Sequence, residues 1–314
     1  MNYLVRRTVT LVITLLLISL VTFTIVQVVP GDPAQLVLGT EAPAEALADL
    51  KARLGLDRPL ALRYLDWLGG ALRGDLGMSL RHKQPVSALI AERLPVTISL
   101  AGLALAIALS VSVPLGVIAA THQRSLPDYS SLIFAQLSLA VPSFWIGILL
   151  ILLFALTWPW LPSGGYVPWS ESPGGALRSL FLPSLALGLP MAGVLTRLVR
   201  SSMLEEMGRD HIRTARAKGL SELQVILRHT LRNALIPTIT IVGLQLGFLL
   251  GGSIVVEQVF SLPGVGRLIL FAISNRDLPL IQGLVVFIAG LVVAINFAVD
   301  VFYTYLDPRI SLRG

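Results

Sequence analysis

The sequence contains six long runs of residues without a formal charge, and these runs constrain its fold more than any other feature. An α-helix needs about 20 apolar residues to cross a bilayer. A segment in lipid must also satisfy its own backbone hydrogen bonds, which favours helices. We therefore expect an all-α membrane protein with six transmembrane helices. The runs are Thr8–Val29, Val96–Thr121, Tyr129–Trp158, Ser179–Thr196, Leu235–Val256 and Leu278–Val299.

The composition excludes several functional classes. Of the 314 residues, 54% are hydrophobic and 13% are charged, whereas soluble domains carry about 25% charged residues. The chain has no cysteine, which excludes disulfides, thiolate metal sites and cysteine nucleophiles. The net charge of +6 indicates cytoplasmic loops and anionic lipid in a membrane protein, and we expect no nucleic-acid partner.

The distribution of basic residues predicts the orientation. Arg6 and Arg7 precede the first run, which is longer than the apolar core of a signal peptide, so we expect a retained helix with a cytoplasmic N-terminus. Residues 197–234 hold eight Lys and Arg residues, whereas the connections 159–178 and 257–277 together hold three. The positive-inside rule then places 197–234 and both termini in the cytoplasm.

Residues 30–95 differ from the rest of the chain. They carry eight basic and eight acidic residues, and Ala61, Leu65, Leu68 and Leu72 recur at helical spacing. We expect an extracytoplasmic amphipathic insert. The chain then has three parts: the first span at 1–29, the insert at 30–95, and a five-helix core at 96–314.

The spans and loops lack the residues of catalysis or ion coupling. No run has a charge at its centre, which argues against proton-driven transport. A phosphate-binding G-x-x-x-x-G-K-[ST] loop is absent, and the four histidines are scattered. We predict no catalytic residue, no metal site and no cofactor bound by this chain.

Small and amide side chains within the spans have two interpretations each. Glycines at four-residue spacing allow close helix packing, either within the chain or against a second membrane subunit. Amides in a span either line a translocation path or hydrogen-bond between helices. The glycines are Gly243, Gly247 and Gly251, and the amides are Gln136, Gln245 and Asn296.

The segment Asp210–Pro237 is charged and helical in pattern. Asp210 is predicted to N-cap a first helix, which ends at Gly219 in a left-handed conformation. Ser221 and Gln224 have the spacing of a capping box that starts a second helix. The result is a basic protrusion of two helices, which binds either lipid or a partner protein.

This protrusion resembles the cytoplasmic loop of the membrane subunits of ABC importers. That family pattern is E-A-A, three residues, Gly, nine residues and I-x-L-P. Ala215, Gly219 and Leu231 match it, whereas Arg213 replaces the acid and Arg232 the proline.

Further motifs extend the resemblance over nearly the whole chain and are similar to the B-type permease subunits of the dipeptide, oligopeptide and nickel branch. They are Pro30–Pro33, Leu54–Leu60, Arg73–Gly77, Pro142–Trp145, Pro263–Arg267 and Asp307–Arg309. The resemblance implies a permease of the type I ABC importer fold.

The resemblance also implies the partners. These are a C-type sister permease, two ABC ATPases that bind ATP and Mg, and an extracytoplasmic solute-binding protein. Helices within 210–236 would couple ATPase closure to the spans, with Gly219 setting the bend. The coupling residues would be Asp210, Arg213, Thr214, Ala215, Arg216, Lys218, Gly219 and Leu231.

Several functions remain open at this point. Short peptides are the expected substrate, and nickel, glutathione or another small solute are alternatives. A stand-alone channel or secondary transporter, and a membrane scaffold or receptor, are alternatives of other classes.

Overall fold

The computed structural model describes residues 3–28, 43–53 and 57–306, and these are helical with no strand beyond an isolated bridge between Met78 and Pro85. Three predicted motifs fall wholly or partly outside the described residues: Pro30–Pro33, Leu54–Leu60 and Asp307–Arg309.

The helices follow the apolar runs but extend beyond them. They are α1 Tyr3–Val28, α2 Ala44–Arg53, α3 Leu60–Ala71, α4 Val86–Thr121, α5 Leu126–Ala140, α6 Ser143–Ile151, α7 Pro173–Met207, α8 Asp210–Ala217, α9 Glu222–Gln224, α10 Leu231–Val259, α11 Val265–Ser274 and α12 Leu278–Leu306. Two segments are π-helical. Leu152–Thr157 continues α6, and Val225–Thr230 joins α9 to α10.

The described residues contain four helices long and apolar enough to cross a membrane, in α1, α4, α7 and α12. Two bent helix pairs raise the number to six if each pair is one span. This confirms the predicted all-α architecture. Helix α4 begins at Val86, ten residues before the predicted run, because the charged residues Glu92 and Arg93 interrupt the uncharged run but not the helix.

The third run differs most from the prediction of a single span. Helices α5 and α6 meet at an angle of 100°. Val141 is extended (φ −99°, ψ 125°) and Pro142 follows it, since a residue before proline is disfavoured in the α conformation. By contrast, Pro183, Pro190 and Pro237 all lie inside continuous helices.

Contacts divide the chain into two compact units. One comprises residues 1–95 and 264–297, and the other 96–263 and 298–313. The three-part organisation expected from composition is a different division, and it stays a prediction.

In the unit of residues 96–263 and 298–313, α7 is the central helix, and 72% of its apolar window is buried. A Cβ added at Gly188 would lie 2.7 Å from the carbonyl oxygen of Ala104, and one at Gly193 would lie 2.8 Å from that of Ala135. Glycine at these two positions therefore lets α4 and α5 contact the backbone of α7.

In the unit of residues 1–95 and 264–297, Asp277 is fully buried before α12. Its carboxylate accepts hydrogen bonds from the Ser79 hydroxyl (2.5 Å) and from the backbone N–H groups of Leu80 and Arg81 (3.1 Å each). It also accepts from the N–H of Leu280, at 3.4 Å. One side chain thus caps α12 and fixes the turn before α4.

Candidate functional site

The basic protrusion forms a compact two-helix unit, which we call the hairpin (Asp210–Thr230). Arg209 rather than Asp210 is the N-cap residue, with no side-chain cap bond, so the predicted cap at Asp210 is wrong. Asp210 is instead the first helical residue, where a carboxylate is favoured by the helix dipole. Its Oδ1 lies 3.5 Å from Nη1 of Arg213, and both side chains are exposed.

Gly219 makes the turn of the hairpin. Its φ of +79° lies in the left-handed region, as predicted, and an added Cβ would meet no heavy atom within 4 Å. The capping box at Ser221 and Gln224 is present, and the Gln224 Oε1 accepts from the Ser221 N–H at 3.3 Å. A side chain at Gly219 would therefore be disfavoured by its backbone conformation and not by a steric clash.

An ion pair closes the hairpin across this turn. Arg216 donates to Glu222 from Nε (3.1 Å) and Nη2 (2.6 Å), in a two-bond arrangement. Arg216 and Glu222 both lie before the apolar part of α10 in the chain, within the polar hairpin. The hydrogen bonds hold the pKa of the Glu222 carboxyl below its usual range and raise the pKa of Arg216. Arg216 is thus bound within the hairpin.

The hairpin has its own small core. Ile212 and Val225 are fully buried and Ala215 nearly so, and the three form one apolar cluster. Leu231 packs elsewhere, beside the cluster formed by Ala120, Val199, Met203 and Ala234. Ala215 and Leu231 therefore face the inside of this chain.

The outer surface of the hairpin carries exposed leucines between polar residues. The exposed fractions of Leu220, Leu223 and Leu227 are 37%, 67% and 51%. Thr214 and Lys218 are also exposed. Leu223 and Leu227 are four residues apart in the helical part, whereas Leu220 lies in the turn before α9, and no pattern in the sequence singled out these leucines.

Glu206, at the end of α7, attaches the hairpin to two candidate spans. Its side chain is 5% exposed. The carboxylate accepts from Nδ2 of Asn233 on α10 (2.8 Å) and lies 2.9 Å from Nε of Arg209 and 3.1 Å from Nε2 of His211. A buried carboxylate with such partners links α7, α8 and α10. The sequence analysis also missed it, because Asn233 is distant in sequence.

A second buried ion pair joins α5 to α7. Nε and Nη2 of Arg200 donate to the Asp128 carboxylate at 2.6 and 2.9 Å, and the N–H of Arg124 donates to it at 2.9 Å. The Asp128 side chain is 2% exposed. Arg200 was predicted only as a cytoplasmic charge, and its partner was not identified.

The last part of the hairpin, Val225–Thr230, is a π-helical turn that leads directly into α10. The hydroxyl of Thr230 donates to the carbonyl of Val225 at 3.1 Å. This bond satisfies a carbonyl where the ordinary α-helical pattern is interrupted.

The predicted packing glycines differ from one another. A Cβ at Gly243 would lie 2.2 Å from Cγ2 of Val299, so this glycine serves packing within the chain. Gly251 is exposed with nothing within 4 Å of an added Cβ, and Gly247 is half-buried. The axis of α10 turns by 58° between Gly247 and Gly251.

The predicted path amides lie on three helices. Gln136 on α5 is exposed, Gln245 on α10 is half-buried, and Asn296 on α12 is half-buried. The Oδ1 of Asn296 is buried without a hydrogen-bond partner. No group of three or more His, Cys, Asp or Glu residues that could hold a metal ion occurs among the described residues.

This geometry defines a class of protein: a polytopic membrane protein with a polar helical hairpin attached to its spans. The family described as "Binding-protein-dependent transport system inner membrane component" matches residues 112–312, and its N-terminal counterpart matches residues 1–101. The chain belongs to this family of ABC importer membrane subunits. It is a transport component, and not an enzyme.

Two related permease proteins align with almost the whole length of this chain. A putative peptide transport system permease protein of Brucella suis biovar 1 (strain 1330) is 48% identical over 296 residues, which is 94% of each chain. The glutathione transport system permease protein GsiC of Escherichia coli (strain K12) is 40% identical over 313 residues, 100% of each.

A solved structure has the same fold. The MetNI methionine ABC transporter in an inward-facing conformation matches with a TM-score of 0.58 at 18% identity, covering 70% of this chain and 96% of that chain.

Proposed function

We propose that this chain is one of two permease subunits of an ATP-driven importer that moves short peptides into a prokaryotic cell. The peptide transport permease of Brucella suis, similar over nearly its full length, supports this substrate. The sister subunit is a C-type permease that completes the path. Gln136, Gln245 and Asn296 are the amides of this chain that would line it.

The observation that carries the proposal is the attachment of the hairpin to α7 and α10 through Glu206. A hairpin with its own core and a buried link to two spans moves as one body when pushed. The ATPase groove would receive the exposed face of Leu220, Leu223 and Leu227, together with Lys218. ATP and Mg would bind to the ATPases, and this chain would bind no cofactor.

The orientation follows from the basic residues of 197–234, which favour a cytoplasmic hairpin and a cytoplasmic N-terminus. The polar segment 30–95 would then lie outside, where a solute-binding protein delivers the substrate. The eight basic residues of that segment do not oppose this, since long loops cross regardless of charge.

Two substitutions at Gly219 test the coupling role. Gly219→Val places a β-branched residue at φ +79° and strains the turn by about 1–2 kcal/mol, so uptake per ATP hydrolysed should fall. Gly219→Asn is the matched control, because asparagine tolerates the left-handed conformation. The measurement is peptide uptake and ATP hydrolysis by the reconstituted complex with its binding protein.

Normal uptake by Gly219→Val, in protein that assembles normally, would refute the coupling role. Uptake by the chain alone in liposomes, without ATPases, would instead indicate a channel or secondary transporter.

Glutathione is a second candidate substrate, because the chain is similar over its whole length to the permease GsiC. Competition distinguishes the two. Uptake of a labelled dipeptide should be suppressed by unlabelled di- and tripeptides and much less by glutathione. The reverse order would assign glutathione, and competition by nickel alone would contradict both.

A further inference from the structure

Two adjoining cavities lie in the unit of residues 1–95 and 264–297. The first, called the polar cavity because the charged residues Arg58, Arg63 and Asp66 are among its mainly apolar lining residues, has a volume of about 410 Å³. The apolar cavity has a volume of about 570 Å³ and is lined almost entirely by apolar side chains. Trp67 and Leu76 line both cavities, so the two are neighbours.

The two cavities are arranged along the axis of the candidate spans. On α1, Gln27 at the C-terminal end lines the polar cavity, whereas Leu16 lines the apolar one. These residues are separated by about 16 Å along the helix, at about 1.5 Å per residue. On α12, Gln282 near the N-terminal end lines the polar cavity and Gly290 the apolar one. The polar cavity therefore lies at the C-terminal end of α1 and the N-terminal end of α12, and the apolar cavity lies further along both helices.

The polar cavity contains unsatisfied hydrogen-bond donors. Arg58 is paired with Asp66 at 2.6 Å. Arg63 is half-buried, its guanidinium forms no hydrogen bond or ion pair with the described residues, and burial lowers its pKa. Gln282 is 5% exposed, and its Nε2 is buried without a partner. A guanidinium and an amide N–H group in this state favour an anion with several acceptor oxygens.

The apolar cavity favours a hydrocarbon chain. Helix α1 is a candidate membrane span, and its Leu17, Val21 and Ile25 are more than half exposed. This exposed face of α1 is therefore available to lipid, which is the most abundant amphipathic molecule near the cavity. Trp67, at the junction of the cavities, is the residue type enriched at the interface between lipid headgroups and acyl chains.

We propose that the paired cavities bind one anionic phospholipid, with its headgroup phosphate at Arg63 and Gln282 and an acyl chain in the apolar cavity. A soluble anion would leave the apolar cavity without an occupant, and a neutral amphiphile would leave Arg63 without a counter-ion. The proposal does not depend on the transported substrate.

Native mass spectrometry of the full-length chain, released from mild detergent, tests the assignment with phosphatidylglycerol and phosphatidylcholine as probes. The wild type should retain phosphatidylglycerol preferentially. Arg63→Gln should reduce that preference about tenfold, the size of one charge-assisted hydrogen bond. Arg63→Lys should keep most of it, and Arg73→Gln, an exposed arginine outside both cavities, should keep all of it.

A second pair of variants tests the acyl-chain position. An added Cβ at Gly290 is 3.9 Å from Leu15, an ordinary contact, so Gly290→Leu extends into the apolar cavity and should reduce retention of both lipids. Gly102→Leu, at an exposed helical glycine with open space, is the control. If Gly290→Leu aggregates on gel filtration, Ala71→Leu fills the same cavity from α3.

Three results would overturn the proposal. They are equal loss of lipid by Arg63→Gln and Arg73→Gln, unchanged retention by the cavity-filling variants, and displacement of the lipid by inorganic phosphate, which would indicate a small-anion site.

Discussion

Glu206 offers the sharpest test of how the hairpin is held. In the variant Glu206→Ala, the Nδ2 of Asn233 loses its acceptor at 2.8 Å and Arg209 loses a partner at 2.9 Å. The hairpin keeps its internal core and its Arg216–Glu222 pair, since neither contacts Glu206. We expect the hairpin to stay folded and to detach more often from α10.

The magnitude follows from the three lost contacts. A hydrogen bond to a charged acceptor contributes about 1.5–3 kcal/mol, and the contacts with Arg209 and His211, whose side chains are each about half exposed, contribute at most about 1 kcal/mol together. The sum is about 3 kcal/mol, which corresponds to about a 100-fold rise in the open fraction.

Hydrogen exchange measures this opening. In the full-length chain, the backbone amides of Gly208 and Arg209, which donate to the carbonyls of Glu205 and Glu206 where α7 joins the hairpin, should lose about 100-fold in protection in Glu206→Ala, whereas amides inside the hairpin should keep theirs. The control is Glu205→Ala, whose side chain is 75% exposed and, among the described residues, forms an ion pair with the same Arg209 alone, at 3.0 Å. Equal protection in the two variants would refute the view that Glu206 holds the hairpin.

Three further variants test the contacts elsewhere in the fold. Asp128→Asn breaks a buried ion pair and should destabilise the chain by about 3 kcal/mol, seen as a lower thermal midpoint in detergent. Gly243→Leu forces a side chain against Val299 and should cost about 1–3 kcal/mol through overpacking, measured in the same melt. Asp277→Ala removes the carboxylate that accepts hydrogen bonds from the turn at residues 79–83, so trypsin should cleave within this turn faster than in the wild type.

Each of these variants has a matched control. Asp210→Asn changes a carboxylate whose side chain is 96% exposed and should leave the thermal midpoint unchanged. Gly251→Leu adds a side chain where nothing lies within 4 Å and should melt like the wild type. Asp57→Asn, at an exposed site, should not alter cleavage by trypsin. A control that behaves like its test variant would contradict the contact assigned to that variant.

The sequence predicts those features that depend on local chemistry. The Gly219 turn and the Ser221 capping box follow from neighbouring residues, and both are present. The all-helical architecture follows from the apolar runs, because hydrocarbon leaves few alternatives to a helix. Asp210 failed as a cap because Arg209 takes the extended conformation one residue earlier.

Features that depend on tertiary packing were not predictable. Glu206 has the sequence context of an exposed charge beside Glu205, and only the approach of Asn233 makes it a buried link. The sharp bend at Pro142 resembles, in sequence, the prolines that leave α7 and α10 continuous. Of the regularly spaced glycines of α10, Gly243 packs closely within the chain and Gly251 does not. Gly188 and Gly193 of α7 lack that spacing but also approach neighbouring helices closely.

The π-helical turn at Val225–Thr230 ends the hairpin and continues directly into α10, so the number of residues in this turn sets the rotation of the rest of the hairpin about the helix axis. One residue of an α-helix corresponds to a rotation of about 100° and a rise of about 1.5 Å. A single-residue deletion there would therefore shorten the connection very little but point the exposed leucines of the hairpin in a different direction. Most surface loops accept inserted residues at little cost. In this turn, an insertion would change the direction in which the exposed leucines face the ATPase.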